Sequence, residues 1–129
     1  MIDDDARCPC GTGETYGACC GRFHGGRPAP TAELLMRSRF SAFAAGDDAY
    51  LLATWHPGTR PASVDLDPAL RWTRLDVHGT AGGGPFEDDG WVDFTAHWRA
   101  ADGSRGAQRE NSRFRRQDSR WYYVDGVPG

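Results

Sequence analysis

Four cysteines stand within thirteen consecutive residues near the start of the chain, and this cluster restricts the local fold more than any other feature. They are Cys8, Cys10, Cys19 and Cys20. Cys19 cannot easily bridge its neighbour Cys20, and Cys8 with Cys10 is also cramped, because an unstrained disulfide needs Cα atoms about 4.4–6.8 Å apart. A tetrahedral metal ion instead needs two close pairs of thiolates that a turn brings together. The spacing therefore favours a zinc site over crossed disulfides.

Four cysteine ligands would close the coordination sphere of a zinc ion, so the predicted zinc site is structural and not catalytic. Gly11 and Gly13 lie between the two cysteine pairs and give the backbone the freedom for a tight turn. His24 lies near enough in the sequence to replace Cys20 if that thiol points away. Four unligated structural thiols are the other interpretation.

A chain of 129 residues fits one domain, which can bury about two-thirds of its unfolded surface. The metal would therefore add to a hydrophobic core. The first five residues are acidic at three positions and contain no apolar run, which predicts the absence of a secretory signal and a cytoplasmic location. No stretch approaches the length of a membrane span. In a reducing compartment, clustered cysteines more often bind metal than pair with each other.

Two helices are predicted after a connector at residues 21–30, which is rich in Gly and Pro. Thr31 is a suitable N-cap for the first helix, and Gly46 ends it. Its apolar side chains recur at helical spacing: Met36, Phe40 and Phe43. Asp47 or Asp48 can cap a second, shorter helix.

The period of the sequence then changes from helical to alternating. Asp67 with Pro68 resembles the start of one helical turn, and four strands follow it. The strands are predicted at residues 71–78, 91–100, 106–116 and 121–125, with a long flexible loop over residues 79–90. In the second strand, one face carries Val92, Phe94, Ala96 and Trp98. Helices followed by an antiparallel meander predict an α+β domain in which the sheet wraps over the helices.

Four segments of the chain together resemble the bacterial YchJ family. They are Leu-Met-Arg-Ser-Arg-Phe-Ser-Ala-Phe at 35–43, Thr-Trp-His-Pro at 54–57, Glu-Asn-Ser-Arg-Phe at 110–114 and Trp-Tyr-Tyr-Val-Asp-Gly at 121–126. The resemblance implies a cone of the nuclear-transport-factor-two-like type, in which N-terminal helices pack in a curved antiparallel sheet. It also implies that the four cysteines occupy the ligand positions of a SEC-C motif, the zinc-binding cluster also found at the C-terminus of the SecA motor. On this basis, residues 1–27 form the zinc knuckle and connector, and residues 28–129 form the cone.

Two charged side chains are predicted inside the cone. Arg39 lies on an otherwise apolar helix, and Glu110 alternates with Ser112 and Phe114 on one strand face. Two such groups need each other in an apolar interior, so they form either a structural ion pair or an anion or polar-ligand pocket. The packing of the resembled cone places His56 nearby, at the end of a helix. A satisfied structural histidine is the alternative for His56.

Aromatic side chains could line the same pocket or could simply fill the core. The complete set of candidate pocket residues is Arg39, Trp55, His56, Trp98, Glu110 and Tyr123. One basic cluster lies on the outward face of a predicted hairpin, and a solvated strand face explains it about as well as RNA binding does. Its members are Arg109, Arg113, Arg115, Arg116 and Arg120.

Two functions are consistent with these features. The first is a non-enzymatic, zinc-stabilised binding module whose knuckle contacts an unidentified protein partner, with a small-molecule ligand as a further option. The second is a small lyase or isomerase-type enzyme, or a small-molecule sensor, that uses His56 with Glu110 and Arg39. The formal net charge of −3 argues against broad attraction to nucleic acid, and no membrane partner is expected.

Overall fold

The computed structural model describes residues 2–129, in which three helices precede a single antiparallel sheet. The helices are α1 (Cys20–His24), α2 (Ala32–Ala45) and α3 (Asp48–Ala53). The strands are β1 (Leu70–Gly82), β2 (Asp89–Ala100), β3 (Arg105–Gln117) and β4 (Arg120–Pro128), and their order in the sheet is β1-β2-β3-β4. The predicted α+β class is confirmed. Within residues 2–129, no helix has the length and apolarity that crossing a bilayer requires.

Both predicted helices form where their caps indicate. The Thr31 side chain accepts a hydrogen bond from the Leu34 N–H at 3.2 Å and so starts α2. Gly46 ends α2 in the left-handed conformation, with φ of 72°, which glycine adopts without steric cost. The Asp47 carboxylate then accepts from the Tyr50 N–H at 3.1 Å and caps α3.

Helix α1 was not predicted, because the Gly-rich sequence around it indicated only a connector. It is one short turn that begins at Cys20 and ends before Gly25. Its Phe23 is buried and packs in the same apolar cluster as α2 and the sheet. The cysteine-rich segment therefore contributes a side chain to the main core, while the division at residue 27 stays a prediction.

The sheet is longer at one end than the alternation predicted. Strand β1 continues to Gly82, and its residues 79–82 pair with residues 90–93 of β2 after an irregularity that follows Val77. The flexible loop predicted at 79–90 is therefore confined to residues 83–88. Glycine lowers strand propensity, but the pairing of neighbouring residues overrides it here. The segment at Asp67 forms a turn, in which its carboxylate accepts from the Ala69 N–H at 2.9 Å, and it does not continue into a helix.

The hydrophobic core lies between α2 and the inner face of the sheet. Helix α2 contributes Leu35, Met36 and Phe40, and all three are nearly inaccessible to solvent. The sheet contributes Val92, Phe94, Ala96, Phe114 and Trp121. A fully buried Val, Leu, Met or Phe side chain among these stabilises the fold by about 1.5–3 kcal/mol.

The outer edge of β4 is covered by the segment that leaves α3. The backbone of Tyr123 donates to the Thr54 carbonyl at 2.8 Å and accepts from the His56 N–H at 2.7 Å. Further along, the Thr59 hydroxyl donates to the Val124 carbonyl at 2.6 Å. Residues 54–59 therefore take the place of a neighbouring strand along this part of β4.

A close backbone approach joins the β1–β2 hairpin to the start of α2. The Gly83 carbonyl accepts from the Ala32 N–H at 3.0 Å. A Cβ atom at Gly90 would lie 2.5 Å from the Gly83 Cα and 2.7 Å from its nitrogen. These neighbours are backbone atoms that have no rotamer to change, so only glycine fits at position 90.

We expect Gly90→Ala to lower the free energy of unfolding by about 1–3 kcal/mol, as overpacking of a tight contact does. Urea unfolding followed by tryptophan fluorescence measures the change. Gly79→Ala is the matched control, because a Cβ there meets no atom within 4 Å. It should alter the stability by no more than about 0.5 kcal/mol. Equal losses of stability in the two variants would contradict the close backbone approach of Gly90 to Gly83.

Candidate metal centre and polar interior

The four cysteines come from two turns that face each other. Cys8 lies on a small loop, and its N–H donates to the Glu14 carbonyl at 2.9 Å. The loop turns through Gly11 and Gly13, whose φ angles of 86° and 89° favour glycine. Cys19 and Cys20 stand at the beginning of α1 on the other side.

The cysteine sulfurs form a compact, buried group. All four Sγ atoms lie within 4.8 Å of one another, and those of Cys10 and Cys19 are 3.6 Å apart. Thiolates at about 2.3 Å from a tetrahedral ion would lie roughly 3.8 Å from each other. Each cysteine is at most 3% exposed, and all four are free thiols without a disulfide. The predicted cluster is therefore present, and it could hold a metal ion.

The sulfurs do not ionise independently. Hydrogen bonds from Cys10 and Cys20 hold the pKa of Cys8 far below its usual range, so one thiolate forms easily. Contacts of Cys20 with the Cys10 and Cys8 sulfurs, together with burial, raise the pKa of Cys20 well above its usual range. Ionisation of Cys20 in this buried group therefore requires a nearby positive charge, which a divalent cation would provide.

Polar groups around the cluster orient its sulfurs. The Ser41 hydroxyl lies 3.5 Å from the Cys8 sulfur, and the Thr12 hydroxyl lies 3.2 Å from the Cys19 sulfur. Hydroxyl donors to thiolates fix the orientation of metal ligands in this way. Arg37 donates to the Cys10 carbonyl at 2.8 Å and is itself paired with Glu33 at 3.0 Å, so it connects the cysteine loop to α2. No motif in the sequence predicts these contacts; the spacing of Arg37 and Ser41, one turn apart on the same helix, is the one signal that points to them.

His24 has a structural role next to the cluster. Its Nε2 donates to the Ser38 carbonyl at 2.8 Å, so its Nδ1 is the atom that accepts from the Tyr16 hydroxyl at 2.5 Å. Because Cys20 points into the sulfur group, His24 does not replace it there. The histidine instead connects the cysteine-rich segment to α2.

The interior also contains the predicted arginine. Arg39 is 3% exposed, and its Nη1 donates to the Leu51 carbonyl at 2.8 Å and to the Thr54 hydroxyl at 2.7 Å. Its guanidinium carbon lies 4.6 Å from the ring centre of Tyr123 and 5.3 Å from that of Trp55. Burial lowers the pKa of Arg39 to about 10, so the side chain is still charged at neutral pH.

Glu110 is bound by hydroxyl groups and not by Arg39. Its Oε1 accepts from Ser112 at 3.0 Å and from the Tyr123 hydroxyl at 3.1 Å. The carboxylate lies over Gly126, where a Cβ atom would come within 1.6 Å of Oε1. Burial and the nearby Glu110 charge raise the pKa of Tyr123 above its usual value.

The predicted ion pair between Arg39 and Glu110 is wrong, because no ion pair joins them within the described residues. Tyr123 stands between the two charges. Its ring face contacts the guanidinium, and its hydroxyl donates to the carboxylate. A single tyrosine therefore separates two charges that the alternation pattern had placed in direct contact.

The structure brings Arg39, Trp55, Glu110 and Tyr123 together, but it places His56 elsewhere. The His56 Nε2 donates to Gln117 Oε1 at 2.9 Å, and its Nδ1 accepts from the Gly58 N–H at 3.0 Å. Its ring packs edge-on against Tyr122. Tyr122 points to the face opposite Tyr123, because successive strand residues alternate. The assumed proximity of His56 to Glu110 is therefore wrong.

Trp98 is also separate from this group. It pairs with Gly106 across β2 and β3, and a Cβ at Gly106 would overlap its ring at 2.1 Å. Glu110 pairs with Phe94, four residues away along β2. Of five clefts of 350–550 Å³ in residues 2–129, none is lined by Arg39, Glu110 or Tyr123. Ligand binding by the six candidate pocket residues stays a prediction.

Most of the outward basic cluster is neutralised by aspartates. Arg109 binds Asp93 at 2.9 Å, and Arg113 binds Asp125 at 3.1 Å. Two further pairs are Arg115 with Asp89 and Arg116 with Asp88. Because opposite charges alternate on this face, it offers no continuous positive surface to a polyanion.

We expect Tyr123→Phe to lower the free energy of unfolding by about 1–2 kcal/mol, because the Glu110 carboxylate loses a hydrogen-bond donor while the ring contacts stay. Tyr122→Phe is the matched control, since no hydrogen bond of its hydroxyl is found within residues 2–129, and its effect should be within about 0.5 kcal/mol. Urea titration measures both. An unchanged free energy of unfolding in Tyr123→Phe would show that this hydroxyl does not stabilise the interior.

Comparisons with known proteins agree with the geometry. The chain is 56% identical over 120 residues to a UPF0225 protein of Streptomyces coelicolor, covering 92% of this chain and 93% of that one. It is 57% identical over 125 residues to a UPF0225 protein of Corynebacterium efficiens, covering 96% and 95%.

Two solved structures are also similar. The solution structure of a SEC-C motif containing protein from Rhodopseudomonas palustris matches with a TM-score of 0.83 and 34% identity, covering 95% of this chain and 98% of that one. The crystal structure of a SEC-C motif containing protein from Psychrobacter arcticus matches with a TM-score of 0.80 and 26% identity, covering 100% and 86%.

Family profiles match both parts of the chain. The SEC-C motif matches residues 6–22, which include all four cysteines. The profile described as YchJ, middle NTF2-like domain, matches residues 31–126, from the N-cap of α2 to β4. The chain therefore belongs to the YchJ-like family, with a SEC-C motif ahead of its NTF2-like domain.

Proposed function

We propose that this protein is a non-enzymatic binding module that a structural zinc ion stabilises. The observation that carries the proposal is the buried group of four cysteine sulfurs within 4.8 Å of one another. Cys8, Cys10, Cys19 and Cys20 would hold the ion, which would supply the positive charge that four thiolates need. A set of four thiolates in tetrahedral arrangement is typical of zinc and leaves no open position for a substrate.

The surroundings of the cluster support a stabilising role for the metal. Ser41 and Arg37 of α2 contact the cysteine loop, and the ligand Cys20 begins α1. An ion bound by both cysteine pairs would therefore fix α1 against α2. Without the ion, residues 2–27 should loosen while the core of α2 and the sheet stays folded, because that core consists mainly of side chains outside the cysteine segment.

The alternative is a small lyase or isomerase-type enzyme, or a sensor, built on His56, Glu110 and Arg39. A general base must reach the proton that it abstracts. His56 has both ring nitrogens in hydrogen bonds, and it lies apart from Glu110. These contacts favour the binding module over this set of catalytic residues.

The proposed partner is a protein that recognises the exposed part of the cysteine loop. Residues 11–15 of this loop are exposed, and a metal ion bound by the buried sulfurs next to them would make this surface rigid. Four free thiols in close contact also favour a reducing, cytoplasmic location. Aspartate pairing of the arginine face weakens the case for nucleic acid as a partner.

Elemental analysis of the purified protein should find one zinc per chain. Cys20→Ser should release the ion, because a serine hydroxyl is a poor zinc ligand. Ser41→Ala should retain zinc with an affinity that is lower by about 10–100-fold, the usual effect of losing an outer-shell partner. Ser63→Ala, at an exposed position, is the control. Protein that is metal-free, or that contains only iron, would contradict the zinc assignment.

A photo-crosslinking side chain at Glu14 should capture a discrete partner in cells, since this residue is exposed on the loop. The same side chain at exposed Asp102, in the β2–β3 turn, is the control. Capture at position 14 should disappear when Cys20→Ser releases the metal. The same species captured at both positions, or capture that survives metal loss, would argue against recognition of the knuckle.

A further inference from the structure

We infer that a cleft between α1, α3 and β4 binds a small organic anion with a flat apolar body, whose carboxylate is held by Arg27 and Arg120. The cleft has a volume of 350 Å³ and is separate from the cysteine cluster. This inference goes beyond the proposed function, because it assigns a ligand class to a site that the metal does not enter.

The walls of the cleft are aromatic. Tyr50 of α3 and Tyr122 of β4 are partly exposed in it, and Phe23 of α1 and Trp121 of β4, each 3% exposed, also line it. The cleft volume lies within the range of about 300–1,000 Å³ that is typical of small-molecule sites. Aromatic walls make offset-stacked or edge-to-face contacts with a planar ring, so they favour a flat ligand body.

The mouth of the cleft carries positive charge without compensation. Arg27 and Arg120 are both exposed and both line the cleft, while no acidic residue lines it. Neither arginine has a carboxylate within 4.0 Å in the described part of the chain, whereas Arg109, Arg113 and others bind aspartates. Two uncompensated guanidinium groups on one cleft, in a chain of net charge −3, favour a carboxylate ligand, to which an arginine can donate two parallel hydrogen bonds.

Contacts of its own lining side chains hold the cleft in shape. The indole nitrogen of Trp121 donates to the Pro30 carbonyl at 3.2 Å. The His24 ring packs on Tyr50 with centroids 4.5 Å apart, and its Nε2 donates to the Ser38 carbonyl. A site that is formed before binding loses little entropy when the ligand enters.

A second cleft of the same volume is the most direct competitor. Its arginines are Arg74, which is paired with Asp76, and Arg99 and Arg105, which have no carboxylate within 4.0 Å in the described part of the chain. Trp98 is the only Phe, Tyr or Trp in its lining. It lies between β1, β2 and β3 at the edge of the hairpin turn. Like the first cleft it has two arginines without a carboxylate partner, but it has one large aromatic side chain where the first cleft has four, so it provides a matched comparison.

The test is a titration of the metal-loaded, ¹⁵N-labelled full chain with 2-naphthoate and, separately, with uncharged 2-naphthamide. Two-dimensional ¹⁵N–¹H NMR spectra follow the backbone amides and the Trp121 indole N–H. We expect 2-naphthoate to shift resonances of residues 23–29, 50–54 and 120–122 and to bind about tenfold more tightly than 2-naphthamide, because only the carboxylate forms charge-assisted hydrogen bonds.

The double variant R27Q/R120Q should remove the preference for 2-naphthoate, while R99Q/R105Q, with the same change in net charge, should keep it. Ala53→Phe should weaken both ligands by filling the cleft that Ala53 lines. The inference is overturned if the shifts map to the Arg99 cleft, if the two ligands bind equally, or if R27Q/R120Q retains the preference. These outcomes do not depend on which metal the cysteines bind.

Discussion

Helix α2 has no broad face toward water, so its polar side chains must find partners inside the protein. Ser38 donates to the Leu35 carbonyl and accepts from the Tyr50 hydroxyl, which connects α2 to α3. Arg39 donates to the end of α3, and Ser41 contacts the Cys8 sulfur. The apolar side chains of the helix fill the remaining side, against the sheet. These contacts connect α2 to three different parts of the protein, and together they set the positions of the cysteine loop, α3 and the sheet relative to one another.

The sequence predicts the parts of this structure that depend on local rules. Thr31 and Gly46 mark the ends of α2 because capping depends on a few neighbouring residues, and alternation identifies β2 because its inner face is uniformly apolar. The spacing of the four cysteines predicts that their sulfurs lie together, because it is unfavourable for disulfides between neighbouring cysteines. Long-range geometry is harder to read. The insertion of Tyr123 between Arg39 and Glu110 depends on how β4 packs over α2, and no pattern within either segment contains that information.

Other differences have similar physical reasons. His56 follows a helix and precedes a proline, which are features that a catalytic histidine and a structural one share; only the partners of its ring nitrogens distinguish them. Helix α1 is not predicted because it is a single short turn in a Gly-rich segment, which indicates a connector. The sequence places Arg120 in the outward basic cluster with four other arginines. Those four bind aspartates, whereas Arg120 lines a cleft. A charge pattern in a sequence therefore does not show which charges are already compensated.

The segment that runs along β4 has a consequence for the behaviour of the protein at high concentration. An uncovered sheet edge presents unpaired N–H and C=O groups, on which strands of other molecules can add. Residues 54–59 occupy these groups around Tyr123 and Val124. At the opposite edge, the pairing of β1 is interrupted after Trp72 and again after Val77, and such irregularities bend and twist a strand. The sheet therefore ends on both sides in a form that is poorly suited to template the addition of further chains, which protects this small, strand-rich domain from aggregation through its edges.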